Sequence, residues 1–122
     1  MHHNIKATEI VLTPEIRVYV GKRLSSMDKF VSHLAAARVD VELEHTPLVD
    51  GPHYRAEATF WEPALETSLR AEARGQTLHE AIDLMMGELF GDITRQKRRR
   101  LDILRRGALR VKEYLRGLRD RF

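Results

Sequence analysis

RVDVELEHTPLVDGPHYRAEATFWEPALETSLRAEARG, residues Arg38–Gly75, is the stretch that decides the fold. In Arg38–His45 the apolar Val39, Val41 and Leu43 alternate with Asp40, Glu42 and Glu44. Side chains of a strand point to opposite faces in turn, so this pattern belongs to a sheet with one face buried. Thr46–Pro52 (TPLVDGP) is rich in turn formers and reads as a loop. Tyr54, Ala56, Ala58 and Phe60 then alternate with Arg55, Glu57, Thr59 and Trp61. Glu62-Pro63 turns the chain, and Leu65, Thr67, Leu69, Ala71 and Ala73 alternate with Glu66, Ser68, Arg70, Glu72 and Arg74 until Gly75 stops the run. The stretch therefore reads as three consecutive strands.

Outward from it, residues 3–7 (HNIKA) read as a further short strand. Thr13-Pro14-Glu15 is a helix start, with Thr13 as N-cap, Pro14 at the first helical position and Glu15 favoured by the macrodipole. Ile16, Val20, Leu24 and Met27 give that helix one apolar face, and it ends near Asp28–Val31. On the other side, Thr77-Leu78-His79-Glu80 fits a capping box, followed by the apolar stripe Leu78, Ala81, Ile82, Met85, Leu89 and Ile93. Beyond Arg100 the stripe turns into a strict 3-4 repeat: Leu101, Leu104, Ala108, Val111, Leu115, Leu118 and Phe122. Gly107 and Gly117 each weaken a helix by about 1 kcal/mol, so the tail is expected to need a partner to order.

The order β-α-β-β-β-α implies an α+β sandwich, two helices on one face of a four-stranded sheet in the manner of a double-stranded-RNA-binding domain, with a C-terminal helical extension. The division is a domain at 1–100 and a basic amphipathic helical tail at 101–122. The open sheet face carries Asp40, Glu42, Glu44, Glu57, Glu66 and Glu72 among Arg38, Arg55, Arg70 and Arg74, and reads as net acidic. Such a face is a poor platform for RNA.

The charge is polarised along the chain. Thr94–Phe122 holds twelve Arg and Lys against three acids, Asp102, Glu113 and Asp120, whereas residues 1–93 hold nine against fifteen. Arg95, Lys97, Arg98, Arg99 and Arg100 crowd into six positions. A dense cationic segment on a folded body is the footprint of a nucleic-acid binder, because neutralising phosphates supplies most sequence-independent affinity. An anionic membrane surface also accepts it. A solvated helix end is the plain alternative.

The absence of cysteine removes disulfides, thiolate metal sites and Cys nucleophiles, and fits a reducing compartment. No apolar run suits a signal peptide or a membrane span, so the expected location is cytoplasmic. Six His include His45 and His53, placed to face each other across a hairpin, but no His-x-x-His or HExxH pattern supports a metal site. No set of nucleophile, base and orienting group stands out. The expectation is a protein without catalysis, cofactor, metal, membrane anchor or small-molecule substrate. Tyr19 reads as core rather than as a base-stacking ring. Trp61, out of phase with Tyr54 and Phe60, lies exposed near a turn or under the tail; both remain open.

Three stretches resemble the ribosome hibernation-promoting factor family, also called ribosome-associated inhibitors or ribosomal subunit interface proteins. NIKATEIVLTPEIRVYVGKRL is similar to the family's first strand and Thr-Pro helix start, and the alternating strands Arg38–Arg74 occupy the expected middle. TLHEAIDLMMGELFGDITRQK resembles its second helix, with Ala81-Ile82-Asp83 on the Ala-Ile-Asp core and Arg95 and Lys97 in its basic positions. Thr77 replaces an N-capping Asp, His79 replaces a frequent Tyr, and the basic tail stands where some members carry a dimerisation domain, so the resemblance is to the short form.

The resemblance implies a factor of stressed or stationary-phase cells that sits in the mRNA and tRNA channel of the small ribosomal subunit, near the decoding site. It would block translation sterically and stabilise idle ribosomes through contacts to rRNA phosphates. RNA helices are read mainly by shape and backbone, which suits cationic helices. The residues expected to carry rRNA binding are Arg95, Lys97, Arg98, Arg99 and Arg100, then Lys22, Arg23 and Lys29. Two rival readings stay open: an interaction module whose tail forms a homodimer or docks on a helical protein, and a general RNA-binding domain without ribosome specificity.

Overall fold

The computed structural model describes residues 1–122 except 32–33, 48–50, 64, 66 and 122. Its elements are β1 (His2–Thr8), α1 (Pro14–Ser25), β2 (Arg38–His45), β3 (Tyr54–Trp61), β4 (Leu69–Gly75) and α2 (Leu78–Arg121), with single 3-10 turns at Asp28–Phe30 and Leu34–Ala36. The strands lie in the order β1-β2-β3-β4. β1 runs parallel to β2, with Ile5 opposite Val41, and the other two pairings are antiparallel. A parallel neighbour needs a crossover, and α1 with the turns after it supplies one. The expected α+β sandwich with a C-terminal helical extension is the observed fold.

Local signals set the helix starts. The Thr13 side chain accepts a hydrogen bond from the Ile16 amide at 3.3 Å, with Pro14 following at the first helical position. At α2 the Glu80 amide donates to Thr77 Oγ1 at 3.1 Å, the Thr half of the capping box. Val20 and Leu24 of α1, Met27 just after it, Val39, Val41, Leu43, Ala56, Ala58, Phe60 and Ala71 of the sheet, and Ala81, Ile82, Met85, Leu89 and Ile93 of α2 are all buried. α2 packs chiefly over β3 and β4. Ala56, Ala58 and Ala71 form its floor there, and their small side chains let the helix axis approach the sheet.

Three features depart from the sequence reading. α1 ends at Ser25 rather than near Asp28–Val31, where a single 3-10 turn stands instead. β4 begins at Leu69 rather than Leu65, because Phe60 pairs with Leu69 and the intervening residues make the connection. Within that connection the Leu65 amide donates to the Glu62 carbonyl at 3.0 Å, and the Leu65 side chain still packs on the core. The tail, expected to need a partner to order, is a direct continuation of α2. α2 runs 44 residues without a break, through Gly107 and Gly117, which at 1.5 Å per residue is about 66 Å. Among the described residues its last buried one is Ile93, and residues 101–117 are exposed. Arg100 is the last partly buried position before this exposed run, and the backbone is helical on both sides of it. Loop residues 48–50, Glu66 and Phe122 of the sequence reading lie outside the described residues. No helix is long and apolar enough to cross a membrane among the described residues.

Candidate nucleic-acid interface

Where cations can meet a polyanion depends on which of them the fold already neutralises. On the open sheet face, Arg55 is the hub. It is largely buried, with 14% of its side chain exposed, and pairs with Glu44 at 3.3 Å, Glu72 at 3.0 Å and Glu57. Arg70 reaches Glu57 at 2.8 Å and Glu72 at 3.6 Å, and Arg38 bonds Asp40 at 3.1 Å. Direct cross-strand partners here include the like pairs Glu42 with Glu57, Glu57 with Glu72 and Arg55 with Arg74. Like charges directly opposite repel, and the diagonal arginine contacts offset that. The hydrogen bond from Arg55 holds the Glu72 carboxyl below its usual range, and the one accepted by Glu72 raises Arg55 in turn.

Lys6 of β1 joins this face opposite Glu42. Among the described residues the face therefore carries five acids (Asp40, Glu42, Glu44, Glu57, Glu72) and five cations (Lys6, Arg38, Arg55, Arg70, Arg74). It is balanced rather than net acidic, because β1 adds a cation and Glu66 falls outside the described residues. A neutral, internally paired face still has little to offer a phosphate chain. Trp61 stands 45% exposed at its margin, opposite Arg38, so the tail does not cover it.

The helices present their cations differently. A helix turns 100° per residue, so Arg95, Lys97, Arg98, Arg99 and Arg100 form a collar around α2 rather than one face. Arg95 and Arg98 lie opposite the Met85–Leu89–Ile93 stripe and are exposed. Arg95 is paired with Asp92, one turn earlier in the same helix. Arg99 is exposed and lines a groove with Leu65, Thr67, Leu69 and Ile103. Arg100 turns inward to the Glu62 carboxylate at 3.6 Å, and the Glu62 side chain is only 3% exposed. That pair fastens α2 to the β3–β4 connection. Lys97 is half-buried on the side of α2 that faces α1.

On α1, Lys22 is exposed and Arg23 is half-buried with an ion pair to Asp83 at 3.5 Å. Lys29 is exposed, with its ammonium 5.2 Å from the Phe30 ring centroid, and Phe30 meets Phe90 of α2 edge-on at 4.7 Å. Lys97 lies two turns past Phe90 on the same row, about 10 Å along the helix. Lys29 and Lys97 thus flank one inter-helix seam from its two walls. Of the eight expected site residues, Arg23 and Arg100 are committed to carboxylates on other elements. Lys22, Lys29, Lys97, Arg98 and Arg99 have no carboxylate partner among the described residues.

Sequence reasoning missed the clasp that fixes α1 against α2. The Tyr19 hydroxyl donates to Asp83, the carboxylate that also holds Arg23, and the Tyr19 ring meets His79 edge-on at 4.7 Å. Donating to that carboxylate raises the Tyr19 phenol above its ordinary value. Tyr19 is therefore partly packed on the core, as expected, but with its polar end in use. No local pattern announces a contact 64 residues apart. His45 and His53 do face each other, with ring centroids 6.4 Å apart and Tyr54 alongside at 4.9 Å. Among the described residues no group of three or more acidic or His side chains gathers to hold a metal.

A sheet with a balanced outer face, two helices on the other, and five cations of the helical side (Lys22, Lys29, Lys97, Arg98 and Arg99) without a carboxylate partner among the described residues define the α+β domain. Comparison with known proteins makes the class specific. The chain belongs to the Sigma 54 modulation protein / S30EA ribosomal protein family, whose model matches residues 3–101. It is 26% identical over 97 residues to the ribosome hibernation promotion factor of Bacillus subtilis (strain 168), covering 80% of this chain and 49% of that protein. The chain thus spans about half the length of that curated relative.

Among solved structures, it is similar to the N-terminal domain of Protein Y from Thermus thermophilus, with TM-score 0.64, 25% identity and coverage of 78% of this chain and 98% of that one. It also shares its fold with a ribosomal subunit interface protein from Coxiella burnetii, with TM-score 0.63, 15% identity and coverage of 80% and 98%.

Proposed function

We propose that this protein acts as a ribosome hibernation factor. It binds the small ribosomal subunit in the mRNA and tRNA channel near the decoding site, blocks translation by occupancy and stabilises idle ribosomes. The binding involves no reaction and no cofactor, and takes place in the cytoplasm. Its affinity comes from rRNA phosphates meeting Arg95, Lys97, Arg98, Arg99, Lys22 and Lys29, with Arg23 and Arg100 acting chiefly to set the helices that carry them.

The observation that carries this reading is the distribution of unpaired charge. The arginines of the open sheet face are largely spent on carboxylates, whereas Lys22, Lys29, Lys97, Arg98 and Arg99 of the helix side have no carboxylate partner among the described residues. Family membership over residues 3–101 supports the ribosome as the source of those phosphates. Generic RNA affinity arises from the same charge and is the competing reading.

Co-sedimentation of the purified chain with isolated small subunits at near-physiological salt, with tRNA as competitor, tests it. Saturable binding that tRNA displaces is the expected result. Binding to arbitrary duplex RNA with equal affinity, or small-subunit binding indifferent to tRNA, would remove the decoding channel as the site.

A further inference from the structure

The second half of α2 carries a feature that phosphate binding does not use. Leu101, Leu104, Ala108, Val111, Leu115 and Leu118 recur at 3-4 spacing along one unbroken helix. Leu101, Leu104, Val111 and Leu115 are 51%, 63%, 59% and 57% exposed. In heptad terms Leu101, Ala108 and Leu115 take position a, and Leu104, Val111 and Leu118 take position d. The same register carried backwards places Phe90 and Lys97 at d. The seam is therefore continuous with the row that Phe30 covers at Phe90, and beyond that point it lies open.

The flanks of the seam decide what can cover it. Position e holds Arg105, Lys112 and Arg119, and position g holds Arg100, Gly107 and Tyr114. The two acids of this stretch, Asp102 and Glu113, fall at b and f, away from the seam. A second copy packed antiparallel sets e against e, cation against cation. A parallel copy sets Lys112 and Arg119 against Gly107 and Tyr114, with no opposite charge for either. RNA would neutralise the flanks and leave the Leu and Val side chains in water. A helix with apolar a and d positions and acidic e and g positions satisfies both at once.

We infer that residues 101–119 dock an acidic amphipathic helix of another protein as a two-helix coiled coil. The occupant runs along the open seam from the Phe30–Phe90 pair outward, its carboxylates on Arg105, Lys112 and Arg119. The site is separate from the cations assigned to phosphate binding upstream of Leu101.

The test uses the full chain and a synthetic three-heptad peptide with Leu at a and d and Glu at e and g, against the same peptide with Lys at e and g. The chain alone should sediment as a monomer at micromolar concentration. The Glu peptide should bind one to one, at least ~100-fold tighter than the Lys peptide. The double substitution Leu104→Asp with Leu115→Asp should weaken that binding by a similar factor. Its helix content by circular dichroism and its small-subunit affinity should stay unchanged. A stable dimer of the chain alone, broken by the same substitutions, would overturn the inference in favour of a second copy. Loss of small-subunit binding in the variant would assign the seam to the ribosome, and indifference to the peptide's charge would remove the acidic partner. Small-subunit binding is read in parallel, so failure here leaves the hibernation reading standing on its own result.

Discussion

Neutralising Arg95, Arg98 and Arg99 together, each to Gln, is the most direct challenge to the helix-side interface. All three are exposed, and none supports another element of the fold, since the one carboxylate engaged is Asp92 within the same helix. Each phosphate that a cation neutralises adds about 0.7–0.9 to the slope of log affinity against log salt, so losing three flattens that slope by about 2–3. Between 50 and 200 mM salt the unmodified protein should then lose ~20- to 40-fold more affinity for small subunits than the variant. At a fixed salt near physiological, three lost charged contacts at the low end of about 1 kcal/mol each weaken binding roughly a hundredfold. Arg74→Gln on the open sheet face is the control, equally exposed and expected to change neither quantity. The assay is equilibrium sedimentation with small subunits over a salt series. A triple variant with the slope and affinity of the unmodified protein, or an Arg74→Gln variant that matches the triple one, would refute the assignment of phosphate contacts to the α2 collar.

The packing sets three further outcomes. Arg55→Gln should cost about 2 kcal/mol at neutral pH, because Glu44, Glu57 and Glu72 are left facing one another around a largely buried position. The Glu72 carboxyl sits below its usual value of 4.5 in the fold, so its contribution is present above that pH and fades as pH falls through the lowered value; thermal melts should show the variant's deficit shrinking in acid. Gly75→Ala should destabilise by about 2–3 kcal/mol, since a Cβ there would sit 2.6 Å from the Ala81 amide nitrogen and 3.0 Å from the Thr77 carbonyl oxygen, and backbone must move. A melting temperature unchanged in that variant would show the start of α2 to be looser than its geometry. Asp83→Asn should lower the Tyr19 titration, followed by phenolate absorbance, towards the ordinary value of 10.0. The raised phenol stabilises the fold below its ordinary pKa and loses that contribution as pH rises through the raised value, so the unmodified protein should weaken in alkali more than Asp83→Asn does.

Much of the fold was legible because its signals are local. Alternation over Arg38–His45 and Tyr54–Trp61 set two strands to the residue, and Thr13-Pro14 and Thr77 set both helix starts. These depend on neighbours within four residues, where side-chain period and capping chemistry leave few options. The start of β4 was misplaced because alternation continued through Leu65 and Thr67, and only pairing with β3 decides where the ladder begins. The tail's continuity was also underestimated: two glycines weaken a helix locally, but residues 78–93 are held on the sheet and nucleate the turns beyond them.

The site divides along the same line. By itself the sequence determined that positive charge gathers after Thr94, that an apolar seam continues beyond it, and that the alternating strands leave one polar sheet face. Tertiary structure alone decided which of those charges are free. Arg55 and Arg70 are consumed by carboxylates brought from other strands, Arg100 by Glu62, and Arg23 by an Asp83 sixty positions away, while Lys22, Lys29, Arg98 and Arg99 are left to solvent. The physical reason is that charge is a property of each residue, whereas neutralisation depends on distances that only the packed chain sets.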